Sequence, residues 1–104
     1  MIDAIVVLVT APSGEVAGTI ARTVVEERLA ACGTVLPGVR SIYRWDGKVQ
    51  DEPEVLLVLK TQRRHFPALR DRILALHPYE IPEVIALPVE AGSDAYLDWI
   101  AKST

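Results

Sequence analysis

From Asp3 to Val9 the chain is almost unbroken in aliphatic and β-branched residues, the pattern of a central strand buried on both faces. Thr10-Ala11-Pro12 interrupts it. Ser13 then offers an N-cap, with Glu15 in the electropositive first turn of a helix. Ala17, Ile20, Ala21 and Val24 share one face at helical spacing, widened by Val25 and Leu29, while Arg22, Glu26 and Glu27 point away. The helix is expected to end near Cys32-Gly33, where the glycine is a natural terminator.

Between Val39 and Trp45 the period changes to two. Val39, Ser41, Tyr43 and Trp45 alternate with Arg40, Ile42 and Arg44, and Asp46-Gly47 follows as a tight-turn dipeptide. The return arm starts at Lys48, passes Glu52-Pro53-Glu54, and enters an apolar run from Val55 to Leu59 that closes at Lys60-Thr61. Pro53 cannot donate to a ladder, so the outer end of the hairpin is expected at a sheet edge or bulge.

A second helix is read from Arg63 to Leu76, with Pro67 in its first turn and Phe66, Leu69, Ile73 and Leu76 as its stripe. His77 lies close to that stripe, and Pro78 stops the helix. Glu83 to Val89, bracketed by Pro82 and Pro88, reads as an edge strand or two short pieces. Ser93 then caps a short helix with Tyr96, Leu97 and Ile100 on one side. The order β-α-β-β-α-β plus a C-terminal helix is the α+β, ferredoxin-like arrangement, with two helices on one face of an antiparallel sheet. The other face would be apolar and bare except where the last helix reaches it, which predicts an oligomer.

Composition sharpens this picture. At 104 residues the chain is a single domain, 1–104, and its 50% apolar content exceeds what one small core needs. The longest apolar run, Ala4 to Val9, is far short of the roughly 20 residues that cross a bilayer. No secretory pattern precedes the first strand, so the mature chain is expected to start at Met1. A net charge of -3 argues against nucleic-acid binding. One cysteine cannot form an intrachain disulfide, so the cytoplasm is the expected compartment.

Chemistry concentrates in His77-Pro78-Tyr79-Glu80-Ile81-Pro82-Glu83, where prolines restrict a loop carrying an imidazole, a phenol and carboxylates. The same residues also admit a structural role, with His77 capping a helix end, Tyr79 packing and Glu80 solvated. Cys32 reads as a small buried hydrophobe or as a soft copper(I) ligand paired with an imidazole. One Cys and two His cannot build a zinc-finger-type site in one chain. Tyr43 and Trp45 on one strand face read as a partner surface or as ordinary cross-strand packing. Lys60, at a strand end, either neutralises an anion or is solvated. No Gly-x-Gly-x-x-Gly, Walker lysine or nucleophile elbow is present.

Taken in order, V-L-V-T-A-P, E-E-R-L-A-A-C, S-I-Y-R-W-D-G-K, E-V-L-L-V-L-K-T, H-P-Y-E-I-P-E-V and Y-L-D-W-I resemble the CutA family of divalent-cation tolerance proteins over nearly the whole chain. The resemblance implies a ferredoxin-like subunit in a homotrimer, architecturally similar to PII signalling proteins, with hairpins continuing the sheet between subunits. It implies a role in tolerance of copper and other divalent metals; because no nucleophile has an evident activating neighbour, the chain is expected not to be an enzyme. By position, Cys32 and His77 are the implied metal donors with Glu80 nearby, and Tyr43, Trp45, Lys60 and Tyr79 the implied lining of an intersubunit cleft. A PII-like regulatory trimer holding a small anion near Lys60 is the alternative; an acid–base pair of His77 and Glu80 ranks below both. Gly33 and Thr34 stand where the family usually has valine and asparagine or a similar polar residue, which is expected to loosen the local backbone and weaken the cleft.

Overall fold

The structure, a computed structural model, describes residues Asp3–Thr104. Four strands and three helices follow in the order β1 (Ala4–Ala11), α1 (Gly14–Glu26), β2 (Cys32–Trp45), β3 (Lys48–Gln62), α2 (Phe66–Leu76), β4 (Ile85–Pro88) and α3 (Asp94–Lys102), with a 3-10 turn at Arg63–His65 leading into α2. The sheet is antiparallel in the order β2-β3-β1-β4, the ferredoxin-like arrangement expected from the element order.

Alternation divides the sheet into two unlike faces. Ile5, Val7, Val9 and Ala11 of β1, with Val55, Leu57 and Leu59 of β3, meet Ala17, Ile20, Ala21 and Val24 of α1 and Leu69 and Ile73 of α2 in the main core. The register pairs Val6, Leu8 and Thr10 with Lys60, Val58 and Leu56 on the opposite face, and these six are only half-buried. There α3 covers one end, where Ile100 packs with Ala4 and Ala31, and Gln62 Nε2 donates to Thr104 Oγ1 at 2.8 Å. The rest of that face, extending to Leu36, Ile85 and Leu87, carries no helix and is open.

Several boundaries differ from the sequence reading, each for a local reason. The first strand begins at Ala4 rather than Asp3 and runs two residues past Val9. Asp3 is held from outside the strand, its carbonyl accepting from Arg63 N at 2.8 Å and its carboxylate from Arg63 Nε at 2.7 Å. Helix α1 ends at Glu26, well before Cys32-Gly33, because Arg28 takes a left-handed conformation at φ 61. Cys32 and Gly33 therefore open β2 instead of closing a helix.

Gly33 is not a loose point. A Cβ there would lie 2.9 Å from Ala21 Cβ and 3.1 Å from Leu59 Cδ2, so its lack of a side chain lets α1 seat directly on β2. The fourth strand is shorter than Glu83 to Val89, and it is an edge as expected. In α3 Ile100 is buried while Tyr96 is exposed, and Ser93 holds the N-cap position without a side-chain hydrogen bond.

The hairpin of β2 and β3 outruns the domain. The ladder between β1 and β3 stops at Ala11 with Val55, so the segment from Lys48 to Glu54 pairs with β2 alone and forms a two-stranded arm. Pro53 sits in this arm, where its missing N–H faces no third strand. At the arm's root Pro37 and Gly38 oppose the single residue Val55, a bulge at which Gly38 takes φ 80. At its tip Asp46 and Gly47 both have positive φ, the primed turn that suits the twist of a hairpin.

Candidate functional site

Pro78 forces the residue before it into an extended conformation, so α2 stops and His77 turns back toward the sheet at ψ 135. Its backbone N–H still donates to Ile73 O at 2.9 Å. The buried ring spans two elements. Nε2 lies 2.7 Å from Thr10 O, a carbonyl that can only accept, so Nε2 carries the proton. Nδ1 is then the bare nitrogen, and it accepts from Tyr79 N at 3.2 Å. Both ring nitrogens are therefore engaged within the chain.

This brace carries the Tyr79 ring, whose centroid is 4.8 Å from that of His77, across to the open face of the sheet. There its hydroxyl donates to Glu54 Oε2 at 2.9 Å. Glu54 is buried at 8% exposure, although it stands at the root of an otherwise exposed arm. Burial first, and then the hydrogen bond and negative charge of Glu54, push the Tyr79 hydroxyl up to about 12.

A groove of about 630 Å³ opens between this pair and the arm. Tyr43 and Trp45 form its wall on the arm and Ile81 an apolar patch, while Glu80 and Glu83 join Glu54 as its charged members. The residues that line it include no lysine, arginine or histidine. Tyr43, Trp45 and Tyr79, which the resemblance assigns to a cleft between subunits, line this groove within one chain, and Glu80 is with them.

Lys60 is not. It pairs across the ladder with Cys32, its Nζ 3.9 Å from Cys32 Sγ, with Thr34 Oγ1 3.8 Å from the same sulfur. From Glu54 to Lys60 along β3 is about 20 Å. Cys32, Thr34 and Lys60 form a separate cluster at the α3 end of the open face, and the chain does not bring Cys32 together with His77 or Glu80. Among the described residues no three His, Cys, Asp or Glu side chains converge as a metal-binding group.

In the sequence Glu54 marks only the start of an apolar run, and Thr10 only the break after the first strand. The missing signal was parity: Glu54 shares the open-face register of Leu56, Val58 and Lys60, which points its side chain toward the loop after α2.

A family model described as "CutA1 divalent ion tolerance protein" matches residues 5–103. The "Divalent-cation tolerance protein CutA" of Thermus thermophilus is 54% identical over 99 residues, covering 95% of this chain and 96% of that protein. Human "Protein CutA" is 52% identical over 96 residues, and the match spans 92% of this chain but only 54% of the human protein. Among solved structures, the Thermus thermophilus protein superposes with a TM-score of 0.95 at 53% identity over 97% of this chain and 98% of that one. CutA1 from Oryza sativa gives 0.96 at 44% identity over 99% and 94%.

Proposed function

The chain belongs to the CutA1 divalent ion tolerance family, and from that premise we propose that it works in copper and divalent-metal tolerance as a homotrimer whose metal donors come from more than one subunit. The open sheet face carries this reading. Val6, Leu8, Leu36, Leu56, Val58, Ile85 and Leu87 form a continuous apolar surface of a kind that soluble monomers avoid. Packing three such faces together, with each arm continuing a neighbour's sheet, removes that surface from water.

In this reading the metal site is shared between chains. Cys32 lies on the open face and supplies the soft thiolate that copper(I) prefers. A carboxylate such as Glu80 of a neighbouring subunit completes the set, and His77 joins only by giving up one of its two ring contacts. A single free thiol suits the reducing cytoplasm. Titration with copper(I) against a chromophoric competitor tests this: binding is expected at a whole-number ratio to three chains and is lost in Cys32→Ala. Unchanged binding in that variant overturns the assignment.

The groove favours a second reading, a PII-like regulatory trimer that binds a small molecule beside Tyr43, Trp45 and Tyr79. Its volume and mixed aromatic and polar lining are those of small-molecule sites.

A further inference from the structure

We propose that His65 is an acid-sensitive joint: when its imidazole takes up a second proton, the turn that joins the sheet to α2 comes away from the core. His65 precedes Leu69 and Ile73 at i, i+4 and i+8, which sets it at the foot of the stripe that α2 buries on the helix side of the sheet. It is therefore remote from the open face, the arm and the groove. The half-buried ring is turned so that Nε2 is sealed from solvent and has no hydrogen-bond partner. A buried N–H without an acceptor is worse than a bare lone pair, so the neutral ring holds its proton on Nδ1 and leaves Nε2 empty. The second proton has one place to go, and that place is inside the protein.

An imidazolium formed there meets opposition from every side. Burial first, and then the adjacent Arg64 guanidinium, hold the ring below the ordinary histidine value of 6.5. His65 also occupies the N-cap position of α2, at the positive end of the helix, with no acidic residue in the first turn. The carboxylates of the neighbouring elements are engaged elsewhere: Asp3 holds Arg63, Asp71 holds Arg70, and Glu27 at the end of α1 holds Arg72. To this side β1 and β3 turn Ile5, Val7, Leu57, Leu59 and Thr61, and β4 is apolar throughout. The charged ring is relieved only by swinging out to water, and the turn has no side-chain cap to hold it back. The opened turn takes its proton at the ordinary value and the closed one only at a lower value. The joint is thus closed above pH 6.5 and opens as pH falls below it, by about tenfold per unit until the closed value is reached.

Hydrogen exchange of the full chain tests this, read by mass spectrometry on peptides across about pH 5.5 to 7.5 and corrected for the intrinsic rate. The segment from Arg63 to Leu69 is expected to open more readily by about tenfold for each unit below 6.5, while α1 keeps its protection. In His65→Phe, which keeps a ring and cannot titrate, that rise is expected to vanish. An equal rise in the variant, or no rise in the wild-type chain, overturns the proposal. So does a rise confined to the loop after His77, the other of the two histidines, at the far end of α2. Nitrogen-15 spectra of the wild-type ring need no variant: at neutral pH the proton is expected on Nδ1 of His65, and a proton on Nε2 contradicts the joint.

Discussion

Replacing His77 by leucine separates its two assigned roles. In this structure the ring is a brace: it donates from Nε2 to Thr10 O at 2.7 Å, accepts at Nδ1 from Tyr79 N at 3.2 Å, and is 7% exposed. Leucine fills most of the volume and makes neither bond. A net hydrogen bond is worth about 1 kcal/mol, and a buried polar group left without a partner costs about 1–3 kcal/mol. Thr10 borders the groove, so water can reach its carbonyl and limit that term. The expected loss is therefore about 2 kcal/mol, towards the lower end of the combined range. Urea unfolding followed by circular dichroism, at a fixed chain concentration because assembly contributes to stability, reads this loss. The Tyr79 titration, which depends on the backbone position that the ring sets, should shift down toward an ordinary tyrosine in the same variant. Copper(I) binding should be retained. A variant that loses less than about 0.5 kcal/mol yet no longer binds copper(I) refutes the brace and makes His77 a ligand.

Three further outcomes are expected. Because the Tyr79 hydroxyl is raised to about 12 in the folded chain from an ordinary value of 10.0, its contribution to stability is fully present below pH 10 and is lost as pH rises toward 12; absorbance titration should find one tyrosine ionising last, absent in Tyr79→Phe and brought down in Glu54→Gln. Gly33→Ala should cost about 1–3 kcal/mol, since its Cβ meets Ala21 Cβ at 2.9 Å, and Ala21→Gly added to it should recover part of the loss in thermal unfolding. Leu8→Asp, on the open face, should leave a folded chain that sediments as a monomer, whereas Val7→Asp, one residue away in the core, should not fold; identical behaviour of the two would contradict the division of faces.

Period and punctuation made most of the fold legible. The aliphatic run before Pro12, the Asp46-Gly47 turn and the stripe from Phe66 to Leu76 each carry a local signal strong enough to place an element. The end of α1 was not legible, because a left-handed Arg28 has no composition cue while Gly33 carries a conventional one that the chain uses for something else. Gly33 serves close packing, which depends on Ala21 and Leu59 and so on the tertiary arrangement. At the site, the prolines of His77–Glu83 marked the loop, and Tyr43 and Trp45 marked the arm. Glu54 escaped because its burial comes from Tyr79 arriving from a distant segment. Lys60 enters the intersubunit cleft only through the resemblance; within one chain its register sets it beside Cys32, away from Glu54.

Whether function resides in an assembly is decided most directly by native mass spectrometry of the full chain loaded with copper(I). A complex of three chains carrying a whole number of copper ions, with an apo trimer in Cys32→Ala, is the predicted result. A single 104-residue chain at micromolar concentration, with or without copper, would contradict it.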